Sequence, residues 1–311
     1  MTFTVLGAGA MGTLYAAKLA EAGHTVTVVA RGARRETVER LGLLLRHLRT
    51  GRLLSIRVPV VGRLGDAPPS DFVLVFLRTQ QLDAVLDELG ALPTTSCVVT
   101  LVNTARGYGA WRDRLGARLV VAFPGAAATL DGEGLLTWEL PPRLVQPTVV
   151  GELDGATSAR VKQLASALEG AGFPTQVRPD LERWIRTHAA WICPFLLTAA
   201  RGAAALRERR LLRLWMQATQ EALGIARQTG RLRPFVFRVL AALPVALLTT
   251  LVRLVLRSSS LRAQIAATGA PLADEGRALA HELLANQPHS SHPALRALCA
   301  PLDSMSASER Q

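Results

Sequence analysis

A glycine pattern near the start of the chain constrains the fold more than any other feature. The apolar run Thr2–Leu6 predicts a buried strand, and the stretch GAGAMG that follows it opens a helical pattern. In G-x-G-x-x-G, the first glycine permits a tight turn, the second lets the backbone approach a pyrophosphate, and the third lets helix and strand pack closely. The alternative is a glycine-rich turn of another α/β fold. The predicted phosphate-binding residues are Gly7, Ala8, Gly9, Ala10, Met11 and Gly12.

The end of the second predicted strand indicates which dinucleotide would bind. A site for NAD carries Asp or Glu about 20 residues after the glycines, where the carboxylate accepts the ribose hydroxyls. Here Ala30 and Arg31 stand at this point, with Arg34 and Arg35 behind them. A guanidinium binds a phosphate well. The sequence therefore predicts NADPH with Arg31 as a ligand, the alternative being that Arg31 is a solvated loop residue.

Alternating strand and helix patterns predict the fold class. Short apolar runs recur between helical patterns through the first half, which is typical of a mostly parallel sheet. We expect residues 125–151 to close the far edge of this sheet and 158–171 to form a helix. After Pro179 the pattern is helical. We predict an α/β chain with a Rossmann-type NADP-binding domain over 1–179 and an all-helical substrate and dimerisation domain over 180–311. The predicted strands are Thr2–Leu6, Thr25–Val29, Phe72–Phe76, Cys97–Val102 and Leu119–Phe123.

Composition narrows the choice of partners and compartment. The 311 residues carry a formal charge of +12, almost all of it from scattered arginines, so nucleic-acid binding is not predicted. Three distant cysteines indicate a reducing compartment, and we expect a cytoplasmic protein. The stretch HSSH, His289–His292, lacks an obvious third ligand, so no metal site is predicted.

An uncharged stretch in the second half raises the question of a membrane. Val239–Val252 is bracketed by Arg238 and Arg253, interrupted by Pro244, and shorter than the ~20 residues that a span needs. We predict a buried helix pair broken at Pro244 and no integral membrane segment. An alternative hypothesis is that the basic, apolar second domain binds a membrane surface or a partner.

Further stretches after the predicted strands carry a family resemblance. VVARG, VFLRTQQ and TLVNTARG follow the second, third and fourth strands. With GAGAMG they resemble the ketopantoate reductases, a family of NADPH-dependent 2-oxoacid reductases, over nearly the whole chain. The resemblance implies a small-molecule substrate between the domains, Arg78 and Gln81 near the adenosine phosphate, and Asn103 beside nicotinamide and substrate. Thr104 replaces the family's usual glycine.

The second domain departs from that family's pattern. When the family's pattern is aligned at Trp184, its catalytic lysine corresponds to Arg186. The two asparagines that usually follow correspond to Ala190 and Pro194. The only lysines, Lys18 and Lys162, lie in the first domain's predicted helices. No lysine is therefore expected to donate the proton.

The register of the family's catalytic glutamate is ambiguous in this chain. An ungapped register places it on Ala270 and a substrate-contacting serine on Ser258, whereas a shifted register offers Glu275. The resemblance thus implies Ser258 as a substrate residue and Glu275 as a reserve catalytic residue.

Arg186 and His188 are the remaining candidates for the chemistry. Arginine stays protonated but can clamp a carboxylate or polarise a carbonyl, whereas histidine can donate a proton near neutral pH. We predict His188 as the general acid and Arg186 as the orienting group; the alternative is a structural His188.

The predicted function is NADPH-dependent reduction of a carbonyl or imine in a small molecule, other than pantoate formation. The alternative is a catalytically silent NADP(H)-binding protein. The sequence leaves open whether the chain forms a homodimer.

Overall fold

The chain divides into two compact units that alternate along the sequence. The computed structural model describes residues 1–77, 81, 83–144, 146–259, 261–262, 265 and 273–300. The N-terminal unit comprises Met1–Val102 and Tyr108–Glu182, and the helical unit comprises Asn103–Gly107 and the chain from Arg183 onward. A five-residue segment from the first half therefore belongs with the C-terminal helices.

The N-terminal unit contains strands and helices in alternation. Its strands are β1 (Thr2–Leu6), β2 (Thr25–Val29), β3 (Leu43–His47), β4 (Leu53–Ile56), β5 (Val60–Val61), β6 (Phe72–Val75), β7 (Cys97–Thr100), β8 (Leu119–Phe123), β9 (Ala127–Leu130), β10 (Leu135–Glu139), β11 (Thr148–Gly151) and β12 (Thr175–Val177). Its helices are α1 (Ala10–Glu21), α2 (Gly32–Leu41), α3 (Leu86–Gly90), α4 (Gly109–Leu115) and α5 (Ala159–Gly170), with 3-10 turns at Leu64–Asp66, Asp83–Val85 and Gly116–Arg118.

Among the described residues, eight strands form the main sheet in the order β12-β11-β8-β7-β6-β1-β2-β5. Neighbours run parallel except β11, which is antiparallel to β8. All five predicted strands lie in this sheet, which confirms the Rossmann-type prediction. Parallel strands covered on both faces read as continuous apolar runs, and β6, β7 and β8 are buried throughout.

The expectation for residues 125–151 was wrong in part. Only β11 joins the main sheet, whereas β9 and β10 lie in a second sheet of order β4-β3-β10-β9. Strands β3, β4 and β9 alternate between more and less exposed positions, the pattern of strands with one covered face. Such strands do not suit a sheet that is covered on both sides, and they pair with each other instead.

Helix α1, which opens the glycine turn, is fixed by aromatic packing and a hydrogen bond. The Tyr15 ring stacks on Phe173 with centroids 4.0 Å apart, and the Tyr15 hydroxyl lies 2.5 Å from Thr148 Oγ1. Burial raises the pKa of Tyr15, so the phenol stays protonated. Helix α5 begins after Ser158, whose Oγ accepts a hydrogen bond from Val161 N at 3.2 Å, in agreement with the predicted helix.

The helical unit packs around the amphipathic helix α8. Its helices are α6 (Leu181–Ala199, which begins in the N-terminal unit), α7 (Gly202–Ala205), α8 (Arg209–Gln228), α9 (Phe235–Ala242), α10 (Val245–Val255), α11 (Ala273–Leu284) and α12 (Pro293–Cys299). Residues three and four positions apart on α8 are buried, including Leu211, Trp215 and Ala222, and they supply much of the unit's core.

The pair α9 and α10 corrects the prediction of buried helices. The break at Pro244 is confirmed, and the axes of the pair are bent by 114°. No single helix in the described ranges is long and apolar enough to cross a membrane, although this bent pair passes by length and composition. The stretch Val239–Val252 contains no charged residue, so apolar side chains lie on every side of the two helices. Each short helix can bury only one side in the protein, and the other apolar side chains stay exposed. The exposed large apolar residues of this helix pair are Phe235, Val236, Val239, Leu247, Leu251, Leu254 and Val255.

Candidate cofactor and active site

The turn between β1 and α1 requires glycine at two positions. Gly7 has a φ of +104°, and a Cβ there would overlap the carbonyl oxygen of Phe76. A Cβ on Gly12 would overlap the carbonyl oxygen of Gly7. The close approach of α1 to its strand therefore excludes larger residues, as the motif predicts.

Space remains where a pyrophosphate would bind. In the part of the chain that the structure describes, no atom beyond the two neighbouring residues lies within 4 Å of a Cβ built on Gly9, and this residue caps the N-terminus of α1. The first turn of α1, which begins with Ala10 and Met11, carries no acidic residue. The first amides of a helix lack intrahelical partners and, with the helix dipole, favour an anion. The backbone around Gly9 thus fits a dinucleotide phosphate.

Arg31 follows β2 and caps helix α2. Its side chain is 65% exposed, and Nη2 lies 3.5 Å from Glu88 Oε1. An exposed ion pair of this length contributes little stability. The guanidinium can therefore exchange Glu88 for a phosphate at small cost.

Arg34 lies beside the glycine turn, although the sequence analysis did not place it among the cofactor-binding residues. Its Nε donates to the Ala8 carbonyl and its Nη2 to Thr13 Oγ1, both at 2.9 Å. Among the described residues, Nη1 is buried without a hydrogen-bond partner, and burial lowers the pKa of Arg34. Arg34 follows Arg31 by about one helical turn, and this spacing is the feature of the sequence that could have indicated its place beside the glycine turn.

A second group of polar residues lies within the helical unit, around the segment Asn103–Gly107, which we call the 103–107 loop. Asn103 Nδ2 donates to Glu275 Oε1 at 3.4 Å. The Glu282 carboxylate accepts from Thr104 Oγ1 at 2.9 Å, Ala105 N at 2.7 Å and Arg106 N at 3.2 Å. Both glutamates are on α11, seven residues apart, and hence on one face. Helix α11 therefore holds this loop and brings Asn103 and Glu275 together.

Arg186 adds a cation to the same loop. Its Nη2 donates to the Arg106 carbonyl at 3.4 Å. The Arg106 Nε lies 3.6 Å from Glu282 Oε1. The 103–107 loop thus carries the guanidinium of Arg106 and contacts the guanidinium of Arg186 and two carboxylates. Arginines are suited to hold a substrate carboxylate.

His188 lies on α6 between two indole rings. Its ring stacks on Trp184 at 5.3 Å and meets Trp191 edge-on at 5.7 Å. Burial lowers the pKa of His188 to about 4, so about one imidazole in a thousand is protonated at pH 7. This argues against the predicted general-acid role.

The remaining predicted residues have ordinary surroundings or fall outside the description. Ser258 is exposed, and its Oγ accepts from Leu261 N at 3.3 Å, as a helix cap does. Gln81 is exposed, whereas Arg78 and Ala270 lie outside the described residues. The described ranges contain no group of three His, Cys, Asp or Glu side chains that could hold a metal ion.

Known proteins match the chain in sequence and in fold. The family model "Ketopantoate reductase PanE/ApbA" matches residues 3–151. The 2-dehydropantoate 2-reductase of Mesorhizobium japonicum is 30% identical over 213 residues, which span 60% of this chain and 63% of that relative. The enzyme of the same name from Pyrococcus horikoshii is 24% identical over 241 residues, 74% of this chain and 75% of the relative.

Solved structures share the fold at low sequence identity. The 2-dehydropantoate 2-reductase of Geobacter metallireducens has a TM-score of 0.73 and 20% identity, covering 98% of this chain and all of that one. A complex of D-mandelate dehydrogenase with NADH has a TM-score of 0.70 and 16% identity, covering 96% of each chain.

The sheet order, the two required glycines and the anion site at α1 define a Rossmann-type dinucleotide-binding protein. The matched residues 3–151 contain both glycines, α1 and the strands of the main sheet other than β12. Residues 3–151 match the ketopantoate reductase family model, and the relatives in sequence are named 2-dehydropantoate 2-reductases.

Proposed function

We propose that the protein is an NADPH-dependent reductase of a carbonyl or imine in a small molecule. The observation that carries this proposal is the contact of Asn103 with Glu275, two residues that are 172 positions apart. The family resemblance implies that Asn103 lies beside the reacting group, and the contact supports the shifted register, in which the catalytic glutamate is Glu275. A proton-exchanging carboxyl group thus lies next to a hydrogen-bonding amide.

The cofactor site of the proposal lies in the N-terminal unit. The glycine turn and the first turn of α1 would hold the pyrophosphate, while Arg31 and Arg34 supply cations for the 2′-phosphate. Bound NADPH supplies the hydride. NADPH rather than NADH is favoured because no carboxylate follows β2 directly, where an NAD site would carry one.

The chain's own residues would bind the substrate and handle the proton. Asn103 donates a hydrogen bond to the substrate oxygen or nitrogen. Glu275, in its acid form, neutralises the anionic oxygen that reduction leaves, and as a carboxylate it accepts that proton in the reverse direction. Arg186 binds an anionic group of the substrate.

A substrate with a carboxylate beside the reacting carbon fits these residues best. The relatives are named for 2-dehydropantoate and mandelate, both of which are such acids. Pantoate formation itself is not proposed, because Arg186, Ala190 and Pro194 stand where the resemblance expects a lysine and two asparagines.

Catalytic silence is the second candidate function. Both lysines lie in helices of the N-terminal unit, Lys18 in α1 and Lys162 in α5. The helical unit therefore lacks the proton donor of the wider family. A silent protein would bind NADP(H) through its intact glycine turn without transferring a hydride.

Absorbance at 340 nm tests the proposal with the full-length protein and a panel of 2-oxoacids, ketones and cyclic imines. We expect NADPH consumption with at least one 2-oxoacid and a loss of about 10²-fold or more in kcat in Glu275→Gln, with little change in NADPH affinity. Asp274→Asn, on the exposed side of the same helix, is the matched control and should keep full activity. NADPH binding without turnover on any substrate would favour the silent alternative.

A further inference from the structure

Helices α9 and α10 present an exposed apolar surface that the proposed reaction does not use. We define the α9–α10 surface by the seven exposed apolar residues listed above. Four of them, Leu247, Leu251, Leu254 and Val255, recur on α10 at steps that place them along one stripe. Phe235 and Val255 are 64% and 62% exposed. A contiguous series of large exposed apolar side chains of this kind marks an interaction site.

Both helices also contact the protein core, α10 through buried residues and α9 through partly buried ones. Leu248 and Thr249 of α10 are buried, and Leu240 packs against both clusters of the unit's core. The exposed stripe is therefore the outer side of helices that are already anchored. It is not the result of a missing internal contact.

The segment that carries this surface has charged residues of one sign only. Residues 222–273 contain seven arginines and neither aspartate nor glutamate. Arg253 and Arg257 are exposed near the apolar stripe, and the Arg238 guanidinium lies 4.9 Å from the Phe235 ring centroid. Apolar side chains beside arginines are the composition of a helix that lies in the interface of an anionic membrane.

A second copy of the chain is a less suitable occupant. A two-fold symmetric contact through the α9–α10 surface would place the arginines of both copies in the same interface, with no carboxylate from this segment to neutralise them. Lipid phosphates supply the missing negative charge. Charge complementarity therefore selects an anionic lipid surface.

Neither helix alone is long enough to cross a bilayer, and the 114° bend between them prevents the pair from forming one straight span. Their 8 and 11 residues correspond to about 12 and 17 Å, whereas the hydrocarbon core is about 30 Å thick. We propose that the α9–α10 surface binds peripherally to membranes that contain anionic phospholipids. Its apolar side chains enter the boundary between headgroups and acyl chains, and its arginines contact lipid phosphates.

Vesicle flotation of the full-length protein tests this proposal. Vesicles of phosphatidylcholine with phosphatidylglycerol should bind at least ~10-fold more protein than phosphatidylcholine alone, and high salt should release most of it. Leu251→Asp should reduce binding by at least ~10-fold, since it places a charge in the apolar stripe. Leu144→Asp is the matched control, because Leu144 is 98% exposed in the N-terminal unit.

A second pair of variants separates the contribution of charge from that of folding. Arg253→Glu with Arg257→Glu should abolish binding, whereas Arg40→Glu with Arg63→Glu, exposed in the N-terminal unit, should retain most of it. NADPH titration and thermal unfolding verify that every variant is folded. Equal binding to neutral and anionic vesicles, resistance to carbonate extraction, or a dimer that Leu251→Asp dissociates in the absence of vesicle binding would each overturn the proposal.

Discussion

In the N-terminal unit the candidate site is built mainly from backbone, whereas in the helical unit it is built from side chains. Gly7 and Gly12 are fixed because any Cβ would overlap a carbonyl oxygen. Asn103 contacts Glu275, and Arg186 contacts Arg106 of the same loop, only because three separate segments pack together. A backbone site tolerates few substitutions, whereas a side-chain site can change its chemistry while the fold is kept. This difference accounts for a chain that retains the glycine turn and lacks the lysine that its resemblance to ketopantoate reductases implies.

The largest expected effect tests the backbone part of this comparison. Gly12→Ala should lower the free energy of unfolding by about 4 kcal/mol or more, because its Cβ would overlap the carbonyl oxygen of Gly7. The added methyl of Gly9→Ala meets no atom of the described residues beyond its chain neighbours. This variant should leave stability within about 1 kcal/mol while weakening NADPH binding. Urea denaturation and cofactor titration measure the two effects. Equal stability of both variants would contradict the backbone argument.

The pH dependence of the free energy of unfolding tests the burial of His188 in the helical unit. The unfolded imidazole of His188 has a pKa near 6.5, and burial lowers the native pKa to about 4, so the unfolded state binds more protons between these values. Its stabilising contribution is full above about pH 6.5. About 3 kcal/mol should be lost as the pH falls through 4.

Denaturation curves between pH 4 and 7 measure this loss. His188→Phe should flatten the profile, and the exposed His289→Phe should not. If His188 is instead the general acid that the sequence predicts, its removal should lower turnover by ~10²–10⁴-fold. If His188→Phe lowers turnover by that factor, the histidine acts in catalysis in spite of its burial.

Glu282 tests whether charge holds the 103–107 loop. Glu282→Gln keeps the size of the side chain but removes the charge from hydrogen bonds to Thr104 and to two backbone amides. We expect a loss of about 2 kcal/mol in the free energy of unfolding. Glu36→Gln, exposed on α2, should change stability very little. An unaltered transition in Glu282→Gln would show that the loop is held by other contacts.

The smallest expected effect concerns cofactor choice. NADPH should bind at least about tenfold more tightly than NADH, a difference of about 1.4 kcal/mol, and Arg31→Ala should remove most of it. Arg40→Ala, exposed at the other end of α2, is the control. Isothermal titration with both cofactors measures the preference. Equal affinities in the unmodified protein would remove the argument for Arg31.

The fold was largely predictable because its main sheet consists of continuous apolar runs. Strands β1, β2, β6, β7 and β8 are each buried almost throughout, and local sequence reveals such strands. The second sheet pairs β3 with β10, whose sequences are far apart. Pairing of distant strands depends on tertiary packing, which local patterns do not encode.

The candidate site likewise has a part that local sequence predicts and a part that depends on tertiary packing. The glycine turn is a local motif and could be predicted from ten residues. The contact of Asn103 with Glu275 joins distant segments, so the sequence left two registers open for the glutamate. Burial of His188 between indole rings and the position of Arg34 beside Ala8 also depend on packing.

The assignment of Asn103–Gly107 to the helical unit limits how the chain can be divided. A fragment that begins at Arg183 would lack the segment whose amides Glu282 binds, and its α11 would present a carboxylate without these partners. A chimera that exchanges helical halves between family members at this boundary would combine one protein's loop with another protein's helix. Recombination within the family must therefore transfer the 103–107 loop together with α11 for the polar residues to remain matched.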